Sequence, residues 1–241
     1  MATILTLQHS AVGRPGRLGL TLRDHGFKLD VQRLDKHPDP ANVTLDGRQG
    51  LIVLGGPQSP TDSSAWMRHE IDLIKRAHDA ELPIIGVCLG CQLIGLALGG
   101  SVGKLDEPEA GFVDVDVVIA GQTDTITAGV PWRTRWFNSH EHAVTELPPG
   151  ATRLMSSERC ENQAFHAGLR TFAFQSHIEA DRAIVDDLYS TERSLFERCG
   201  IDDAELARSA DEYYPRFADV ADRLSVNLAS YAFPFSALIG S

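Results

Sequence analysis

Leu82-Pro-Ile-Ile-Gly-Val-Cys88-Leu-Gly-Cys-Gln92-Leu-Ile-Gly-Leu-Ala-Leu-Gly-Gly100 is the stretch whose reading decides the fold. Leu82 to Val87 is a short apolar run rich in β-branched residues and opened by a proline, the signature of a strand buried on both faces. From Leu89 to Leu98 the apolar residues stay dense, interrupted by Gln92, which fits a buried helix. Cys88 stands at the junction, with Gly86 and Gly90 on either side as Gly-x-Cys-x-Gly. That is the thiol version of a nucleophile elbow, a strand-to-helix turn too sharp for bulky neighbours. A thiol there meets the unpaired N–H groups and the dipole of a helix N-terminus, which favour a thiolate. The same amides, that of Leu89 first, are placed to hold a developing oxyanion. Two plainer readings compete: a small buried core residue, and a redox pair, because Cys88-Leu-Gly-Cys91 is formally C-x-x-C. Cys91, three residues into the helix, reads as core filler rather than a resolving thiol.

A cysteine nucleophile needs a base, and Thr171-Phe-Ala-Phe-Gln-Ser-His177-Ile-Glu179-Ala supplies a histidine at the end of another apolar run. On extended backbone, side chains two apart point the same way, so Glu179 can accept a hydrogen bond from one imidazole nitrogen while the other faces the thiol. A third element, Gly50-Leu-Ile-Val-Leu-Gly55-Gly56-Pro57-Gln-Ser59, is a strand ending in paired glycines, where backbone amides can turn toward a ligand. Gly56 N–H is then a candidate second oxyanion donor, and an ordinary βα turn is the alternative. Phosphate cradling is disfavoured, since no Gly-Lys-Ser/Thr follows.

These three pieces, in this order, resemble the class I glutamine amidotransferase domain, and the surrounding sequence is similar to its freestanding, GMP-synthase-like members. The resemblance covers roughly residues 45 to 185 and includes the weaker Glu109-Ala-Gly111-Phe and Asn138-Ser139-His140 segments. It implies Cys88 as nucleophile, His177 and Glu179 as the rest of a triad, and the Gly56 and Leu89 amides as an oxyanion hole. Gln92, Glu109, Gly111, Ser139 and His140 would then lie near the bound glutamine. Two departures stand out. The family's Phe-Gln-Phe-His-Pro-Glu is here Phe174-Gln-Ser-His177-Ile-Glu179, and its Ser-His-Gly-Asp is here Ser139-His-Glu-His142. The triad residue types survive the first change, while the second alters the loop beside the substrate.

The implied reaction is cleavage of the side-chain amide of glutamine through a γ-glutamyl thioester, with ammonia passed to a separate synthetase. A standalone γ-glutamyl peptidase using the same site, or a non-catalytic regulatory domain with this fold, are the alternatives. The chain has 241 residues, enough for one substantial core but not for a second full catalytic domain. A net charge of −11 argues against nucleic acid or an anionic membrane as partner. Residues 1 to 9 lack the basic start and long apolar core of a secretory signal, and no apolar run reaches membrane-spanning length, so a cytoplasmic location is expected. Four cysteines, one of them assigned to chemistry, imply no disulfide framework. No cofactor is called for, and His140-Glu-His142 finds no second pair that would make a metal site.

Ile4 to Leu7, Phe27 to Val31 and Leu51 to Leu54 are further strand candidates, with helical patterns at 16–24 and 64–80, the second capped by Ser63-Ser64. Such alternation predicts an α/β fold, a mostly parallel sheet flanked by helices, and the resemblance implies the flavodoxin-like architecture of the class I glutamine amidotransferases. Between Gly99 and Phe174 the runs shorten and alternate, including Val113 to Ile119 and Thr134 to Phe137, which predicts added antiparallel strands with His140 and His142 on loops. Asp106-Glu-Pro-Glu109 reads as a solvated turn. Beyond Ala180 the pattern is helical over 182–199, 203–211 and 216–231, with Pro215 separating the last two. The expectation is a single domain over 1–241, with a catalytic core at 1–185 and a helical C-terminal extension at 186–241.

Overall fold

β-branched and apolar residues at consecutive positions can be buried only if both faces of a strand are covered. The computed structural model, which describes residues 2–36, 43–62 and 64–233, builds such strands into one sheet. In chain order the elements are β1 (Thr3–Gln8), α1 (Gly16–Asp24), β2 (Lys28–Arg33), β3 (Gly50–Val53), α2 (Ala65–Asp79), β4 (Ile84–Val87) and α3 (Leu89–Ala97). There follow β5 (Ser101–Val117), α4 (Ile119–Gln122), β6 (Arg133–Glu146), β7 (Thr152–Ser157), β8 (Ala164–Ala167) and β9 (Thr171–Phe174). The chain then becomes helical with α5 (Arg182–Thr191), α6 (Arg193–Arg198) and α7 (Asp203–Asn227).

The nine strands lie in the order β2-β1-β3-β4-β9-β8-β7-β5-β6. The first five are mutually parallel. From β9 onward every pairing is antiparallel. The sheet is therefore half doubly wound and half meander, as the change of pattern after Gly99 predicts. Period-two alternation sorts the parallel strands between two cores. Ile4, Ile52, Leu54, Ile85 and Val87 face one core with Leu18, Leu22, Ile184, Phe217 and Leu224, so α1, α5 and α7 cover that side. Leu5, Leu7, Leu51, Val53 and Ile84 face the other, with Met67, Leu73, Ile74, Leu89 and Leu93 of α2 and α3.

Several expectations need correction. His140 and His142 sit within strand β6, not on loops, because β6 pairs with β5 on both sides of them. Residues 106–109 are part of β5, where a register shift between Lys104 and Glu109 absorbs the extra residues as a bulge instead of a turn. Pro215 lies inside α7, which runs unbroken through it. A proline in a helix interior costs about 3 kcal/mol. Leu206, Ala210, Phe217, Val220, Ala221 and Leu224 all bury the same face of this helix, and that burial outweighs the cost. Conversely, the single helix expected over 182–199 breaks at Glu192 into α5 and α6. Ser64 occupies the N-cap of α2 but makes no side-chain cap bond, and Ser63 lies outside the described residues. Among the described residues no helix is long and apolar enough to cross a membrane.

The contact that fixes α3 to the sheet is backbone against backbone. A Cβ on Gly90 would stand 1.9 Å from the Val53 carbonyl oxygen, and one on Gly86 would stand 2.7 Å from that of Gly90. Neither partner is a flexible side chain that can swing away. Gly90→Ala is expected to lower stability by about 3 kcal/mol or more, read as a lower urea midpoint at unchanged slope, whereas Gly47→Ala, where a Cβ meets nothing within 4 Å, carries only the strain of its left-handed backbone.

Candidate functional site

In open α/β sheets the carboxyl ends of the parallel strands form the natural crevice. Here His9 and Ser10 follow β1, Gly55 and Gly56 follow β3, Cys88 follows β4, and His177 and Glu179 follow β9. Cys88 is the N-cap of α3 and adopts φ 52°, ψ −108°. It is one of two non-glycine residues with positive φ among the described residues. Such a conformation costs on the order of 1–3 kcal/mol and persists only where the surroundings impose it. They do so through the Gly86/Gly90 clasp and a hydrogen bond from Cys88 N–H to the Phe174 carbonyl of β9, 2.8 Å. Val87 and Phe174 are also sheet partners, so the end of β9 is held beside the elbow.

His177 Nδ1 lies 2.8 Å from Glu179 Oε1, both side chains buried. The carboxylate can only accept, so Nδ1 carries the proton and Nε2 is left for Cys88. Nε2 has no conventional hydrogen-bond partner, and the Cys88 side chain lies close enough to act on the ring. Both residues pack on Gly55, where a Cβ would meet His177 Cε1 at 3.1 Å and Cys88 Cβ at 3.4 Å. Burial works strongly against charge on His177, but Glu179 and then Cys88 outweigh it, so the imidazole is held well above its ordinary pKa. The backbone around the pair is anchored at both ends. His177 N–H donates to Phe137 O of β6 at 2.8 Å, and Arg17 N–H at the start of α1 donates to Glu179 O at 2.9 Å.

A cleft of about 470 Å³ opens over this group, lined by Gly56, Cys88, Leu89, Gln92, Ser139 and His140 among others. The Cys88 thiol lies 3.9 Å from the Ser139 carbonyl. Gln92 reaches the cleft but spends its amide N–H groups on His142 O (2.7 Å) and Gln175 Oε1 (3.1 Å), bracing α3 against β6 and the end of β9. Glu109 and Gly111, expected near the substrate, do not line the cleft. Glu109 is buried behind its wall with His140 Nε2 at 3.2 Å, Ser157 Oγ at 2.6 Å and Gln163 Nε2 at 2.5 Å. Gly111, at φ 78°, faces Ile201, whose Cδ1 would stand 2.5 Å from a Cβ there. Burial pushes the Glu109 carboxyl up, yet His140 and the other donors hold it below its ordinary pKa. Glu109, His140 and Cys160 bring one potential metal-ligand atom each within 4.8 Å of one another. The donors already on both Glu109 oxygens satisfy that carboxylate from within the protein.

Sequence reasoning missed two features. The C-terminal helices form part of the cleft, through Thr191, Glu192, Ser194, Leu195 and Arg198. Beneath the Gly55-Gly56 turn lies a second buried pair, His9 Nε2 with Glu70 Oε1 (3.0 Å) and Oε2 (3.1 Å). The other His9 nitrogen forms no hydrogen bond, though the carbonyls of Gly55 and Leu54 act on the ring, and a Cβ on Gly56 would meet His9 Cβ at 2.5 Å. Burial lowers the His9 pKa, but Glu70 and these carbonyls raise it more, and the net shift is upward. The signal for this pair is Glu70 itself, which stands in the apolar stripe Met67, Leu73, Ile74, Ala77 of α2.

An α/β sheet with a cysteine elbow at the carboxyl end of one parallel strand and a His–Glu pair just beyond the end of its neighbour defines a class of α/β proteins that gather a thiol, an imidazole and a carboxylate at one sheet edge. The model of class I glutamine amidotransferases matches residues 18–187, and the chain belongs to that family. It is 33% identical to a glutamine-hydrolyzing GMP synthase subunit of Natronomonas pharaonis over 59% of this chain and 69% of that protein. It is 30% identical to the glutamine-hydrolyzing GMP synthase of Xanthomonas oryzae pv. oryzae over 68% of this chain, but spans only 30% of that longer relative. A crystal structure described as a glutamine amido transferase from Methylobacillus flagellatus superposes with a TM-score of 0.80 at 27% identity, covering 96% of this chain and 93% of that one. The shared fold therefore continues past residue 187 into the C-terminal helices.

Glu70→Ala strands His9 in the interior and is expected to cost on the order of 3 kcal/mol. Because the His9 pKa is raised on folding, the pair's contribution is fully present below the ordinary value of 6.5 and fades as pH rises through the raised one. Urea unfolding of both proteins across neutral and alkaline pH will show the gap between them narrowing as pH increases.

Proposed function

We propose that this protein hydrolyses the side-chain amide of glutamine. The observation that carries the reading is the buried His177 between Glu179 and a Cys88 held in left-handed backbone at the end of β4. Cys88 as thiolate attacks the amide carbon. The Gly56 and Leu89 amides, both at the cleft, stabilise the tetrahedral oxyanion. His177, carrying the second proton its raised pKa favours, protonates departing ammonia. The same imidazole then activates water, which releases glutamate from the thioester. Glu179 fixes the tautomer and offsets the imidazolium charge throughout.

Relatives named as one subunit of a glutamine-hydrolyzing GMP synthase support a separate synthetase as the acceptor of ammonia. Free thiols at all four cysteines support a reducing, cytoplasmic setting. The helices α5 and α6 wall the same cleft as the elbow, which supports core and extension working as one unit. The volume of the cleft favours a second substrate class, γ-glutamyl peptides, in which a larger amine takes the place of ammonia.

Ammonia release from glutamine, with a panel of γ-glutamyl peptides alongside, tests both readings. Cys88→Ala is expected to abolish turnover, a loss of roughly 10⁴-fold or more; equal release by the two proteins overturns the assignment. Glu179→Gln is expected to lower kcat by roughly 10²- to 10⁴-fold and to move the alkaline limb of the rate profile downward, since Glu179 is what raises the His177 pKa.

A further inference from the structure

A γ-glutamyl head group brings a positive charge into the cleft, its α-ammonium, a short aliphatic chain away from the carbonyl under attack. Something in the cleft must meet that charge. The carboxylates near Cys88 are mostly committed. Glu179 is bound to His177, and Glu109 to His140, Ser157 and Gln163. Glu141 is paired with Arg198 at 2.8 Å and Lys104 at 3.3 Å.

Glu192 is different. It occupies the break between α5 and α6, half-buried, and lines both the large cleft and a smaller adjoining cavity of about 140 Å³, each of which also contains Cys88. Among the described residues it forms no ion pair. The nearby arginines are taken elsewhere: Arg14 by Asp181 and Asp187, Arg193 by Glu197 and Asp203. Its one side-chain partner is the hydroxyl of Ser139, a neutral donor. An ionised carboxylate has about four acceptor positions, so one hydroxyl leaves most of them open. Ser139 also sets the distance. Its carbonyl faces the Cys88 thiol while its hydroxyl donates to Glu192, so the carboxylate stands one residue's breadth from the nucleophile.

We infer that Glu192, from the C-terminal helices, binds the α-ammonium of the γ-glutamyl substrate and so sets specificity for it. The inference rests on the glutamine-hydrolysis reading above and adds the group that recognises the amino-acid end. Ser139 holds the carboxylate in place, and the thiol reaches the amide at the other end of the same short chain.

The test compares L-glutamine with glutaramate, the same molecule without its α-amino group, on the full chain and on Glu192→Gln. The expected result is a kcat/KM for L-glutamine lowered about 30-fold or more, mainly through KM, with glutaramate unchanged. Glu192→Asp, which keeps the charge, should retain part of the preference, and far-UV circular dichroism confirms that each variant is folded. Equal losses on both substrates, or no loss on either, overturn the inference. Calorimetric binding of the two compounds to Cys88→Ala, with and without Glu192→Gln, separates this from the reading it rests on. Glu192-dependent binding of L-glutamine to Cys88→Ala, together with a wild-type chain that releases no ammonia, refutes the hydrolysis alone, and absence of any preference for the α-amino compound refutes the anchor.

Discussion

A chain that turns from strand to helix within a single residue can carry no bulk where its two arms close on their neighbours, two residues to either side of the bend, and the architecture around Cys88 follows from that constraint. Gly90 lets α3 lie directly on the backbone of β3, and Gly86 lets β4 pass beneath the first turn of the helix. With both in place the side chain at the bend itself, Cys88, projects from the sheet's carboxyl edge into the cleft. The strained backbone of Cys88 is the local cost of this exposure, and the burial of Leu89, Leu93 and Ile94 against the second core supplies the stability that sustains it.

Around the bend the protein repeats one electrostatic device. Three imidazoles, His9, His140 and His177, each lie within 3.2 Å of a glutamate, and all six side chains are almost entirely shielded from water. One pair underlies the glycine turn after β3, one braces the strand that forms the far wall, and one faces the thiol. A buried carboxylate or imidazolium alone would be severely destabilising, so each charge is tolerated only with its partner. The consequence is a cleft framed by polar groups whose positions are fixed before any ligand arrives, the condition under which hydrogen-bond donors stabilise a transition state most effectively.

The sequence made the parallel half of the sheet legible because its information is local. Apolar runs such as Leu51 to Leu54 and Ile84 to Val87 announce buried strands, and Gly86, Cys88 and Gly90 announce the elbow. His177 and Glu179 were readable as a pair two positions apart, although they meet on a turn beyond β9 and not on extended backbone. What was hidden depends on distant partners. His140 looked like a loop residue until β5 paired along both sides of it. Pro215 looked like a break until the tertiary surface on both sides of it outweighed a local penalty. Glu192 carries no motif at all; its place in the cleft arises from the angle between α5 and α6, which no spacing of residues records.

The wall that α5 and α6 contribute comes after the elbow in the chain, and α7 beyond it clamps α1 through the Arg17–Asp222 ion pair, at the residue whose amide also holds the Glu179 carbonyl. Chains emerge from the ribosome from their N-terminus and fold as segments become available. A nascent chain that has already displayed Cys88 thus still lacks His177, the rear wall and the clamp. The thiol therefore precedes in synthesis the side chains that later shield it, and products cut short before His177 leave it without them.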